Sequence, residues 1–311
     1  MKAIKQFLKA ITPHGLIELR RARLAKRTDE EPDLERSAFH AQRRRRIAAA
    51  KFSRDTGAIQ GDDREQVIAF LKERGIAVKH LLEGSVPQQS LEYIRERAIL
   101  PLDPARPLTA LHIGNFVGVS LAFLAAALGQ RHPDSVVVSV DPNLTHRGIS
   151  NPQAHVSALL AACGVQRNTM IIAGYSGRKS ISNDGVVFDG YDPEKEFSKE
   201  CACEESLRNL GALCPQAFDL VLMDGHHEAS YLAGEIQTVL PLMRLGGFVI
   251  LDDVDAAWAE IREVFSQIAS FGLEPIGTDD RVGIAQLVAK PSHTGATPEI
   301  RVSVSVTEWG E

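Results

Sequence analysis

Two short apolar runs, residues 220–223 and 248–251, each stop at acids: Asp224 after the first, Asp252 and Asp253 after the second. Unbroken apolar runs of this length, closed by polar residues, fit strands buried on both faces of a parallel sheet. Between them the apolar positions follow helical spacing, and Pro241 with Gly246 and Gly247 punctuates the return. Residues 218–253 therefore read as strand, loop, helix, turn, strand. Adjacent parallel strands share a carboxyl edge, where open α/β sheets bind ligands. Three carboxylates would converge there on one crevice, with His227 three residues past the first. Acids so crowded repel one another and call for a compensating cation, which points to a divalent metal. Solvated acids ending two strands are the plainer alternative.

A second unit lies upstream. Residues 110–113 form a short apolar strand, Gly114-x-x-x-Gly118-x-Ser120 a glycine loop, and 119–128 an apolar helix. A second strand, 136–140, ends in Asp141. Glycines allow the tight turn and let backbone N–H groups approach a ligand at the helix start. An acid closing the second strand of such a unit commonly holds the ribose hydroxyls of a nucleoside. A dinucleotide site prefers G-x-G-x-x-G, and Phe116 stands at the middle-glycine position, which counts against a nicotinamide cofactor.

The remaining pattern frames these two units. Residues 64–78 and 88–100 read as helices separated by Gly84 and Pro87, the second of them covering the cofactor pocket. Residues 152–163 form another helix, 170–173 a third strand, and 256–270 a helix after the acid pair. Residues 273–276 and 282–289 pair as a hairpin around a turn at 277–281. The link 176–215 is too long for a plain connection and reads as an insertion. The expected organisation is a basic helical arm at 1–60 and a domain at 61–290, its first part, 61–105, a helical cover. A tail follows at 291–311, where Val302, Val304 and Val306 alternate as a possible edge strand.

Taken together, LHIGNFVGVS, the Asp141–Pro142 pair, FDLVLMDGHH, LPLMRLGG and the final acid pair resemble class I S-adenosylmethionine-dependent methyltransferases. The subgroup is the one with E-I-G-x-x-x-G-x-S, D-P, F-D-L-V-x-I-D-G-D-H, L-P-L-L-x-x-G-G and D-D. It includes catechol-type O-methyltransferases and sugar O-methyltransferases of macrolide and surface-glycan pathways, and the likeness covers roughly residues 91–290. The resemblance implies a Rossmann-like, doubly wound α/β fold. Its seven-stranded sheet would be mostly parallel, with an antiparallel closing hairpin and a helical N-terminal extension. It implies S-adenosylmethionine held by Gly114, Asn115, Gly118, Ser120, Asp141, Tyr175 and Asp224. It further implies a divalent metal, magnesium first, on Asp224, Asp252 and Asp253, with His227 as the base. The implied reaction is methylation of a hydroxyl on a small molecule, a sugar or glycoside by preference.

Three positions depart from the pattern. His112 replaces the glutamate that helps hold the cofactor's amino group, Tyr175 stands where an acid commonly contacts adenine, and Ala229 replaces a tyrosine. Two alternatives stay open: a metal-independent methyltransferase of the same fold, and a catalytically inactive scaffold in glycan assembly, which His112 favours.

Composition narrows the setting. With 311 residues, 44% hydrophobic and 24% charged, the chain is long enough to bury a large core. No apolar run approaches the roughly 18–20 residues of a membrane span, and no signal-peptide pattern opens the chain. Cys163, Cys201, Cys203 and Cys214 fit reduced thiols of a cytoplasmic protein better than a zinc site. The net charge of −5 conceals a basic arm, residues 1–54, on an acidic body. Ile4, Phe7, Leu8 and Ile11 share one helical face among lysines, so residues 1–27 suit a partner or the inner face of an anionic membrane. A helix packed on its own domain or on the other copy of a homo-oligomer is the plainer alternative. Nucleic acid is not an expected partner, since the arm has few aromatics to stack and the body is acidic. His226, His146, Arg147, Asn143, Asp255 and Trp258 are weaker candidates for the ligand or substrate shell.

Overall fold

The computed structural model describes residues 59–177, 206–213, 218–255 and 257–289. Seven strands form one sheet: β1 (Thr109–Ile113), β2 (Val136–Asp141), β3 (Thr169–Ala173), β4 (Phe218–Met223), β5 (Met243–Leu251), β6 (Leu273–Thr278) and β7 (Gly283–Leu287). Their order is β3-β2-β1-β4-β5-β7-β6. The first five run parallel, and β7 pairs antiparallel with both β5 and β6. This is the expected doubly wound sheet with its closing hairpin.

The unbroken apolar runs have a direct cause. Along β4, Leu220 and Leu222 join one core while Val221 and Met223 join the other. Phe248 and Ile250 alternate with Val249 and Leu251 in the same way along β5. Successive strand side chains point to opposite faces, and here both faces are covered. The first face carries α1 (Arg64–Glu73), α2 (Val78–Glu83), α3 (Gln88–Ile94), α4 (Val119–Arg131) and α5 (Pro152–Ala162). The second carries α6 (Ser206–Leu213), α7 (Ala229–Val239) and α8 (Ala259–Ser266). Each fully buried Leu or Phe contributes about 1.5–3 kcal/mol, so these two layers hold most of the stability. Phe123, Phe218 and Leu121 are among the largest such side chains.

Several boundaries differ from the sequence reading. Residues 64–78 are not one helix: α1 ends before Gly75, which takes a left-handed φ of 89°, and α2 starts at Val78. The helix read at 88–100 is α3 continued by a π-helical turn, Arg95–Ile99. The helix read at 256–270 is α8 followed by a 3-10 turn at Ile268–Phe271. Strand β5 begins at Met243, so Gly246 and Gly247 lie inside it rather than in a turn. The pairing shifts register there, and a Cβ on Gly247 would sit 2.8 Å from the Asp219 carbonyl oxygen. A glycine is needed for this close strand approach, a role its letter does not distinguish from a turn.

The amino-terminal edge of the sheet is tied by one buried acid. Asp219 accepts from Arg106 Nη2 at 2.6 Å, Arg244 Nη1 at 2.7 Å and the Thr109 N–H at 2.9 Å. Burial opposes its ionisation, but these donors outweigh it and hold the carboxyl below its usual range. Among the described residues no helix is long and apolar enough to cross a membrane. The basic arm, most of the insertion at 176–215 with Cys201, Cys203 and Cys214, and the tail with Val302, Val304 and Val306 lie outside the described residues. Cys163 is a buried free thiol whose pKa burial pushes up to about 12.

Candidate active site

The strand ladder runs one residue past the carboxyl ends and lines up the site. Gly114 N–H donates to the Val140 carbonyl at 3.0 Å, Asp224 N–H to Ile113 at 2.9 Å and Asp252 N–H to Met223 at 3.0 Å. Gly174 N–H donates to the Asp141 carbonyl at 3.0 Å, which brings Tyr175 to the same edge. A Cβ on Gly114 would come within 1.9 Å of the Asp224 carbonyl oxygen, so only glycine fits at this crossing. Gly118 caps α4 with a left-handed φ of 92°.

Asp141 fixes the shape of the glycine loop. Its Oδ2 accepts the Asn115 N–H at 2.6 Å and its Oδ1 the Asn143 N–H at 2.6 Å. Burial raises its pKa, while backbone donors at Asn115, Asn143 and Phe116 pull the other way. Asn115 and Ser120, expected at the cofactor, turn their side chains into a buried network instead. His112 Nδ1 meets Asn115 Oδ1 at 3.2 Å, and Nε2 meets Ser120 Oγ at 2.9 Å. Ser139 Oγ donates to the same Asn115 oxygen. An amide oxygen only accepts, so Nδ1 carries the proton and Nε2 accepts from Ser120. Burial holds the His112 pKa down at about 4, so the ring is neutral. His112 thus braces the loop and cannot replace the missing glutamate's charge.

The other half of the edge is built from charge. Asp252 and Asp253 are 4% and 5% exposed, and Asp224 is half-buried. His227 Nε2 lies 2.7 Å from Asp253 Oδ2, and the imidazole stacks on Trp258 with centroids 4.0 Å apart. Arg281 clamps Asp252 through Nε at 2.9 Å and Nη2 at 2.8 Å. Its Nη2 also approaches Asp253 Oδ1 to 2.9 Å, but that oxygen lacks a partner of hydrogen-bond geometry. Asp253 holds a left-handed φ of 60°, a strained conformation for a non-glycine residue that clusters at reactive sites.

Electrostatics distinguish the acids. Arg281 is held above its ordinary pKa: burial opposes its charge, but the hydrogen-bonded Asp252 and the nearby Asp253 and Asp224 prevail. Asp224 is raised well above the carboxylate range by burial and by the charges of Asp252 and Asp253. One atom each from Asp224, His227 and Asp253 lie within 4.8 Å of one another. That donor set fits a cation. Asp252, expected as the third ligand, has both oxygens on Arg281. His226 lies 3.6 Å from Glu228 and edge-on to Tyr231. Asp255 accepts the Ala257 N–H at 2.7 Å.

Residues 111–254 match the family model described as a methyltransferase domain. Over those residues the chain is similar to a methyltransferase domain. The resemblance read from its motifs holds over that stretch. Among similar solved structures, an O-methyltransferase from Bacillus cereus in complex with SAH is 12% identical, covering 78% of this chain and 96% of that one, with a TM-score of 0.47. A TDP-rhamnose 3′-O-methyltransferase of calicheamicin biosynthesis is 14% identical, covering 72% and 92%, with a TM-score of 0.44. A methyltransferase of the mycinamycin pathway in complex with Mg and SAH is 14% identical, covering 69% of this chain and 53% of that one, at 0.41. No protein of curated function matches the chain.

Two features of the domain's site had little sequence signal. Arg281 looked like a residue of the closing turn, and its clamp on Asp252 depends on β7 pairing beside β5 in the sheet. Glu235, inside α7, is 3% exposed and hydrogen-bonded to Ser176. Burial pushes its pKa up to about 8. Trp258 was read as either a substrate-lining or a half-buried indole; it is half-buried and also positions His227.

Proposed function

We propose that the protein is an S-adenosylmethionine-dependent O-methyltransferase acting on a hydroxyl of a small molecule, a sugar or glycoside by preference. The observation that carries this is the His227–Asp253 pair, set beside Asp224 on the same carboxyl edge as the glycine loop of a methyltransferase domain. Gly114 and Gly118 of the loop would hold the cofactor's nucleoside, with Asp141 binding the ribose and Tyr175 the adenine. With Nε2–H donating to Asp253, the His227 Nδ1 lone pair accepts the substrate's hydroxyl proton. Asp253 fixes the tautomer, while Trp258 fixes the ring plane. The oxygen forms its bond to the methyl carbon as the carbon–sulfur bond breaks, leaving neutral S-adenosylhomocysteine. Since that leaving group needs no protonation, alignment of oxygen, methyl and sulfur is the main contribution of the site.

A divalent ion, magnesium first, belongs to this reading. Asp224 and Asp253 would hold it, since magnesium is commonly bound by one or two carboxylates together with substrate and water. When bound, it supplies Lewis acidity and a template for neighbouring substrate oxygens. Asp252 joins the ligands only by leaving Arg281. That clamp favours a second reading, a metal-independent enzyme in which Arg281 supplies the compensating charge. Transfer of labelled methyl from S-adenosylmethionine to a panel of glycosides, with and without exhaustive chelation, separates them. The first reading expects transfer that chelation abolishes and magnesium restores. Undiminished transfer after chelation selects the second, and absence of S-adenosylmethionine binding overturns both.

A further inference from the structure

A cavity of about 510 Å³ opens between the α1–α2 turn and the segment leading into α5, lined by Arg74, His80, Arg147, Asn151 and His155. Its ionisable lining is entirely basic, two guanidiniums and two imidazoles, in a chain whose net charge is negative. Arg74 lies over the Phe70 ring at 5.7 Å and has no carboxylate partner among the described residues. His80 and His155 each keep a buried Nδ1 without a hydrogen-bond partner. Arg147 is oriented by Glu83, 2.9 Å from its Nη1.

The cavity adjoins the reactive edge. His146, next to Arg147 in the chain, packs edge-on against Phe116 of the glycine loop at 5.2 Å. Its pKa is lowered to about 4, first by burial and then by the charges of Arg147, His227 and His80. The same ring is thus within electrostatic reach of the cavity residue His80 and of the base His227.

We infer that this cavity binds a phosphate-type anion carried by the acceptor, so that the substrate is a phosphorylated or nucleotide-linked hydroxyl compound. This rests on the methyltransferase reading for the word acceptor, but the anion site stands on its own geometry. Guanidinium forks match phosphate oxygens, and imidazole N–H groups add donors at the same centre. An acceptor anchored by its phosphate leaves its sugar hydroxyls to reach His227.

Inorganic pyrophosphate, titrated calorimetrically into the full chain, tests the site. The wild type should bind it saturably, and Arg74→Ala/His155→Ala should bind at least tenfold more weakly while keeping its melting temperature. S-adenosylhomocysteine affinity should not change in that variant; if it falls too, the cavity holds the cofactor's carboxylate and the inference is wrong. No saturable pyrophosphate binding, or equal binding by the variant, also overturns it. A second arm distinguishes the anion's source. Pyrophosphate should compete with binding of uridine diphosphate glucose and not with binding of methyl glucoside. Simultaneous binding of pyrophosphate and the nucleotide sugar would mark a free-phosphate site and overturn the acceptor assignment. Failure of the methyltransferase reading would show separately, as absence of S-adenosylhomocysteine binding in the wild type.

Discussion

Asp219 and Asp224 stand at opposite ends of the same strand and have opposite fates. Asp219 is 1% exposed yet meets two arginines and a backbone N–H, and its pKa falls. Asp224 sits among two further acids, and its pKa rises well above the usual range. Burial disfavours the carboxylate at both ends, so the opposite directions come from the donors and charges around each. The amino edge is finished by the chain itself, whereas the carboxyl edge retains charge that a proton, a cation or a substrate must balance. An acid whose charge is satisfied within the fold serves stability, and one left unsatisfied beside a histidine serves chemistry.

The largest expected effect falls on the carboxyl edge. His227→Ala should lower methyl transfer by roughly 10²–10⁴-fold, the usual range for a lost general base, while S-adenosylmethionine affinity and melting temperature hold. Steady-state kinetics beside a calorimetric titration would check this, and equal losses in binding and rate would make His227 a cofactor residue instead. At the amino edge, Asp219→Ala should cost about 3 kcal/mol in denaturant unfolding, because it removes the shared partner of Arg106, Arg244 and Thr109. A loss below about 1 kcal/mol would show that the two half-exposed arginines are satisfied by water, and the contrast would weaken.

The acids of the carboxyl edge were legible in the letters, whereas Asp219 was not, because its donors Arg106 and Arg244 come from distant parts of the chain. The strands were readable because burial on both faces leaves an unbroken apolar run, and their acids because a charged residue ends such a run sharply. Gly114 was readable because the turn demands it; Asp141 was read as the ribose acid, and the structure adds the loop N–H groups that it accepts. The clamp of Arg281 on Asp252 was not readable, since it is a side-chain pairing between residues 29 apart, made only once β7 pairs with β5. The buried His112 network was missed for a related reason: Asn115 and Ser120 look like ligand-facing loop residues until a neutral imidazole beneath them takes up their hydrogen bonds. Gly246 and Gly247 misled because a turn and a close strand approach use the same residue.

The pH dependence should separate the two edges more gently. Asp219, with a lowered folded pKa, contributes stability that is full above the ordinary carboxylate range and is lost as pH falls through its folded value. Asp224 and Glu235 act with the opposite sign. Both keep protons in the folded state that the unfolded chain releases, so stability should decline as pH rises from their unfolded values, for Glu235 up to about 8. Glu235→Gln should flatten that decline and raise stability at pH 8, as read by chemical denaturation in metal-free buffer. An unchanged slope would mean that Glu235 is ionised in the fold.

The central claim is that the carboxyl edge divides its labour, with the glycine loop and Asp141 holding the cofactor and the His227–Asp253 pair acting on the acceptor. Calorimetric titration of S-adenosylmethionine into wild type, Asp141→Ala and His227→Ala tests it most directly. The account predicts saturable binding to the wild type, weakened by about 1.5–3 kcal/mol in Asp141→Ala, as for lost hydrogen bonds to a charged group, and unchanged in His227→Ala. Wild-type affinity in Asp141→Ala, or no binding to the wild type at all, would contradict it.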